Sequence, residues 1–372
     1  MRTIPRTGES FAERSTGRSR ALRWWPIAPL ILFLVAPYSA LPVPGVLDGP
    51  LGGPGSLQLI ALCLVFGALA TGYDLLLGRV GLLSFGHALY FAVGLYGTDL
   101  AMLELRLPFV PAALCGVGAA VLLALLLGSV SLRVTGIGFS MVTLAFAQAG
   151  SILVQRNPGG ITGGEEGRAA PAALLPSSLV GIVNTPNLYW IALGYLVLTV
   201  AVVHWAVRSP AGRVWDGIRE NERRVEVLGL RPYGFKLLAF VLTGALAGIG
   251  GVVYLLLTGG ATPQAAGSDT TLSLLVMVVL GGSGSRWGPL LGGMLYTWAG
   301  YRLGDLATSA AIADLPAVLR VPLSQPLFLL GTLFVAVVYL LPGGLAGLPA
   351  RLRPSLRPSC GPNSDHPPTS AG

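Results

Sequence analysis

Apolar runs near the length of a membrane crossing recur along the chain, separated by short polar or Gly/Pro-rich connections. They cover residues 26–43, 56–77, 81–103, 108–132, 137–154 and 187–207, then 237–257, 271–281, 289–301 and 326–341. A helix that spans the hydrocarbon core needs about 20 predominantly apolar residues. The pattern therefore predicts an all-α polytopic integral membrane protein with about ten transmembrane helices. The eighth and ninth runs are short and are split by GSGSRWG at 282–288. They read as two crossings or as one broken, re-entrant element, and broken backbone is tolerated at membrane depth only when buried in protein or lining an aqueous cavity. Parity favours two crossings, because ten spans return both Arg-bearing ends to the cytoplasm.

The longest polar interruption of helical character is residues 209–236, SPAGRVWDGIRENERRVEVLGLRPYGFK. Ser209 is a candidate N-cap and Pro210 suits the first helical position, where a missing N–H costs nothing. Val214, Ile218, Val225 and Leu228 recur at roughly helical spacing between charged residues, and Gly229 is a candidate stop. The expected product is a surface helix with one apolar edge. Its excess of Arg places it on the cytoplasmic side. Two readings stand at this point: a solvated connector, and a docking helix for a soluble partner.

Composition supports the membrane reading. Of 372 residues 53% are hydrophobic and only 11% charged, with a mean hydropathy of +0.71, against about 25% charged residues in soluble domains. The net charge of +8 sits in loops and at the N-terminus, so it reads as a topology signal and not as a nucleic-acid surface. Residues 1–25 are expected to be a disordered cytoplasmic N-terminus, 26–347 the transmembrane domain with its cytoplasmic loop at 208–236, and 348–372 a disordered cytoplasmic tail. The first run lacks the short core and cleavage site of a signal peptide and is read as an uncleaved span.

Covalent chemistry finds no foothold in the sequence. Lys236 is the sole lysine and follows Phe235, so no phosphate-binding Gly-Lys-Ser/Thr loop exists. His87, His204 and His366 lie far apart, with no carboxylate or Cys at ligand spacing, so neither metal nor cofactor is expected. Asp74, Asp99 and His204 fall near predicted span ends, where a charge reaches the interface, and only His87 is placed deep. That scarcity argues against ion coupling. Ser84, Gly86, His87, Thr143 and Gln148 are the candidates for a translocation path, with helix packing as the competing role. In the loop ITGGEEG, Thr162, Gly163 and Gly164 offer backbone N–H groups to an anion, or form an ordinary flexible outer loop. Spans two to five and seven to ten would start on opposite faces, as inverted repeats do, with GLLSFGHA and GGSGSRWG as candidate counterparts.

Seven stretches in order resemble the permeases of branched-chain amino acid ABC importers, the LivM-like family. They are GLLSFGHALYFAVGLYG, RVTGIGFSMVTLAFAQ, NPGGITGGEEG, SPAGRVWDGIRENERRVEVLGL, LTGALAGIGGVVY, LLVMVVLGGSGSRWGPLLGG and LPGGLAG, spread over residues 81–347. The resemblance implies a type II ABC-importer-like fold in the bacterial inner membrane. It implies a second LivH-like permease subunit, two cytoplasmic ATP-binding subunits and a periplasmic or extracellular solute-binding protein. It also makes the charged island the coupling loop, with Arg219, Glu220, Asn221, Glu222, Arg223, Glu226 and Gly229 at the ATPase; a Glu222→Arg chain is then expected to fold and insert without transporting. Gly138 stands where the family usually has an aromatic, and Val225 and Val227 where it has alanines. The implied cargo is a small polar solute, a branched-chain amino acid first, with urea, short amides or other amino acids as alternatives. A stand-alone secondary transporter and a membrane-embedded enzyme are the rival classes.

Overall fold

The computed structural model describes residues 49–307 and 325–340, with short pieces at 33, 36–39 and 343–347. The expected first span, the N-terminus and the tail beyond 347 lie outside the described residues. Ten helices are present among the described residues: α1 Pro54–Asp74, α2 His87–Leu103, α3 Phe109–Ser131, α4 Ile137–Arg156, α5 Thr185–Arg208, α6 Pro210–Val227, α7 Pro232–Thr258, α8 Ser268–Gly281, α9 Gly288–Ala307 and α10 Pro326–Leu340. Among the described residues, sheet is confined to a two-residue antiparallel pairing of β1 (Arg168–Ala169) with β2 (Gly260–Ala261).

Six of the described helices are long and apolar enough to cross a membrane: α1 with its extension, α3, α4, α5, α7 and α10. The other three expected spans, α2, α8 and α9, do not meet that criterion, so the described count falls below ten. The shortness of α2 has a physical reason. The third expected span was placed from residue 81, but the helix starts at His87. Residues 75–80 instead widen into a π turn that extends α1, and Gly81 ends it at φ +79.

The succession α1, break, α2, α3, α4 recurs as α7, break, α8, α9, α10. Packing repeats as well: α3 lies on α2 and on α7, while α9 lies on α8 and on α1. This order sets residues 81–86 opposite the break at 259–267, so GGSGSRWG, which joins α8 to α9, is not the counterpart of GLLSFGHA. Helices α1 and α7 form the core, and α3, α4, α5 and α10 present apolar faces outward. Close crossings use missing side chains. A Cβ on Gly94 of α2 would lie 2.1 Å from the Gly248 carbonyl oxygen of α7, and one on Gly67 of α1 only 3.0 Å from the Leu290 carbonyl oxygen of α9. Asp74 and Asp99 are buried inside the protein and do not reach the interface as expected, because α1 continues past Asp74 and the loop bearing Arg168 lies against Asp99.

Candidate functional site

The island folds as expected at both ends. The Ser209 hydroxyl accepts from Gly212 N, Pro210 opens α6, and Gly229, at φ +84, closes it with Leu230 N donating to Val225 O at 3.3 Å. Trp215, Ile218 and Val225 bury the apolar edge, and Trp215 Nε1 donates to Phe235 O at 2.8 Å, which ties α6 to the start of α7. The pattern did not announce an interruption at Asn221, whose backbone is extended (φ −161, ψ 100). The Asn221 side-chain oxygen accepts from Arg224 N at 3.1 Å, as an N-cap does. The island is thus two helical arms, 210–220 and 222–227, joined at one residue.

The charged residues of both arms divide between partners on neighbouring helices and open solvent. Arg219 Nη1 donates to the carbonyl of Gly78 at the end of α1, and Asp216 lies 3.7 Å from Arg79. Glu222 accepts from Lys236, whose side chain is 8% exposed. Glu220, Asn221, Arg223, Glu226, Val227 and Leu228 are exposed. Glu222 and Glu226, with Leu132, Leu230, Tyr233 and Lys236, border a recess of about 330 Å³. Of the seven residues assigned to the ATPase, Arg219 and Glu222 therefore hold partners within this chain. Neither partner could be read from local spacing.

Around the first break the structure brings together four of the five path candidates. Backbone leaving a helix inside a membrane must find donors and acceptors in protein, and here side chains of three helices supply them. Tyr73 of α1 donates to Ser84 O (2.8 Å); on α4, Ser140 donates to Leu83 O (2.7 Å) and Thr143 Oγ1 accepts from Phe85 N (3.1 Å); Thr271 of α8 accepts from Ala88 N (3.0 Å). Gly86 N donates to Ser84 Oγ at 3.2 Å. His87 is buried, hydrogen-bonded to Thr243 of α7 at 3.0 Å, and surrounded by Tyr73, Tyr90 and Phe240. Gln148 is separate: it is exposed and donates to Ser268 at the start of α8 (3.1 Å). Sequence reasoning missed Tyr73, Ser140, Thr243 and Thr271, which are ordinary hydroxyl residues within apolar runs.

The Gly-rich loop at 157–167 is built around Asn157, itself at φ 50. Its side-chain oxygen accepts from Thr162 N (2.8 Å) and Gly163 N (3.1 Å), so these N–H groups point inward and are not offered to an anion. A Cβ on Gly163 would lie 2.2 Å from Gly167 O, which explains a glycine there. Arg168 fastens the loop: it donates to Ile161 O, lies 3.9 Å from the fully buried Asp99 and 3.7 Å from Glu104. Asp99 makes no hydrogen bond among the described residues, so Arg168 is its principal charge compensation.

Residues 56–338 match the family described as branched-chain amino acid transport system, permease component. The chain is 30% identical over 266 residues to the high-affinity branched-chain amino acid transport system permease protein LivM of Escherichia coli K12, covering 65% of this chain and 62% of that relative. It is 27% identical over 300 residues to a probable LivM of Methanocaldococcus jannaschii, covering 77% and 83% of the two chains. A nucleoside ABC transporter permease protein, NupC of Lactococcus lactis, is 27% identical over 136 residues, 35% of this chain and 40% of the relative.

Proposed function

Because the chain belongs to the permease-component family of the branched-chain amino acid transport system, and its apolar helices make it a multi-pass protein of the bacterial inner membrane, we propose that it is a translocating subunit of an ABC importer. It carries a small polar solute into the cytoplasm, a branched-chain amino acid by the names of its relatives. It works with a second permease, two ATP-binding subunits and a solute-binding protein. The observation that carries this reading is the two-armed island. Its inner arm is bonded to α1 and α7, and its outer arm, held to α7 by Glu222 and with Val225 buried, leaves Arg223, Glu226, Val227 and Leu228 exposed. A connector has no need of an exposed apolar pair beside alternating charges; a docking helix seated in a soluble subunit does.

In this reading Glu220, Arg223 and Glu226 make the polar contacts with the ATPase, and Val227 and Leu228 fill its groove. Gly229 and Asn221 fix the arm's two ends. Ser84, Gly86, His87 and Thr143 form a packed floor beside the path at the first break, and Thr162, Gly163 and Gly164 shape the outer mouth. The matched nucleoside permease supports a second cargo class, a nucleoside, for the same scaffold. The test is the double charge reversal Arg223→Glu with Glu226→Arg in the assembled transporter. The chain is expected to insert at parental yield and lose ATPase co-purification and uptake together; co-purification at parental levels would reject the docking assignment.

A further inference from the structure

Three glycines and one arginine meet where α1, α6 and the α8–α9 turn converge. Arg219 donates to Gly78 O, one of the last carbonyls of the α1 extension, which have no intrahelical partner. A guanidinium there also faces the negative end of the helix dipole. Gly81 lies under the Arg219 stem: a Cβ would come 3.2 Å from its Cγ. On the other side, a Cβ on Gly284 would come 3.1 Å from Arg219 Nη1. Gly284 N in turn donates 2.8 Å to Asp74, the buried carboxylate of α1, and a Cβ on Gly78 would strike both Asp74 Oδ1 (2.2 Å) and Gly284 N (2.5 Å). One turn back on α6, Asp216 pairs with Arg79, so residues three apart on one helix face grip the same end of α1.

We propose that Arg219 is a positioning residue that makes the inner arm of α6 and the cytoplasmic ends of α1, α8 and α9 move as one body, so that displacement of the outer arm by an ATPase subunit reaches the membrane core through this junction. The proposal rests on the docking reading above and assigns Arg219 to transmission, not to the dock. Asn221 is the elbow between the two functions. Force passes through a guanidinium held by a helix end and two glycine-lined surfaces. Trp215 and Glu222 tie α6 to α7, and Arg219 adds the tie to the end of α1 and the α8–α9 turn.

The test uses the complete transporter in proteoliposomes, with Arg219→Ala and Arg219→Lys compared to the parent. Three quantities are read: ATPase co-purification, ATP hydrolysis, and solute delivered per ATP. Arg219→Ala is expected to retain the ATPase and its hydrolysis but to deliver about tenfold less solute per ATP, the order of effect of one lost charge-assisted hydrogen bond; Arg219→Lys, which keeps a cationic donor, recovers part of it. Parental delivery per ATP in Arg219→Ala overturns the proposal while leaving the docking reading intact. Loss of the ATPase on purification also overturns it, since Arg219 would then belong to the dock. If Arg219→Ala does not accumulate, spin labels at the exposed Arg213 and Ser283 decide the matter: their separation is expected to stay constant between nucleotide-free and nucleotide-bound states, and a changed separation overturns the single-body junction.

Discussion

Glu222→Arg, the substitution that a pure docking role singles out, is predicted to destabilise the chain before any partner is present. Lys236 has an 8% exposed side chain, and Glu222, at 39%, is its only hydrogen-bond partner among the described residues. Exposed pairs contribute about 0.2–1 kcal/mol, whereas breaking a buried pair costs about 3–5 kcal/mol. One buried and one half-exposed partner place Glu222→Ala near the middle, at about 2 kcal/mol. An arginine adds repulsion: at an effective dielectric of about 20, like charges about 4 Å apart repel by about 4 kcal/mol. The new side chain has water to escape into, which leaves a total of about 2–4 kcal/mol. The assay is thermal unfolding of the detergent-purified chain without its partners. Both variants should melt below the parent, Glu222→Arg lowest, and the exchange Glu222→Lys with Lys236→Glu should recover most of the loss. A Glu222→Arg chain that melts with the parent would refute the reasoning, and its transport defect would then report docking alone.

Removing Arg168 should be more damaging than removing the charge it faces. Arg168→Ala leaves Asp99 buried with no compensating cation, a loss of about 3–5 kcal/mol, and adding Asp99→Asn should restore stability; the comparison is read in unfolding midpoints, and a double variant no more stable than the single would show that the pair does not matter. Gly94→Ala and Gly118→Ala should separate cleanly in the same assay: the first pushes α2 off the Gly248 carbonyl and costs about 1–3 kcal/mol, while the second meets open space inside a helix and gains about 0.5–1 kcal/mol. Equal effects would mean that α2 and α7 are not in close contact.

Much of the helical framework was legible because its determinants are local. The fourth run, read as 108–132, became Phe109–Ser131, and the sixth, read as 187–207, became Thr185–Arg208. Ser209, Pro210 and Gly229 marked the island's limits because caps act within one turn. Residues 81–86 misled for the opposite reason. Their composition is as apolar as a helix, and what satisfies their non-helical backbone is a set of hydroxyls 11 to 58 residues away, on Tyr73, Ser140 and Thr143. Asp99 and Arg168 likewise meet from distant parts of the chain, where β1 pairs with β2. Arg219 and Glu222 were placed on the right element, but their partners within the chain, Gly78 and Lys236, were not foreseen, since a helix pattern shows which residues are charged and not which way a kink at Asn221 turns them. The family resemblance supplied the class of machine, which no single residue in this chain reveals.

The central claim is that solute moves through this chain only when a separate ATP-hydrolysing subunit drives it. The most direct measurement is net uptake of labelled leucine into proteoliposomes containing the chain and its companion permease, with the solute-binding protein outside, with and without the ATPase and internal ATP. The account predicts accumulation only when ATPase and ATP are both present. Sustained net flux by the permeases alone would contradict it.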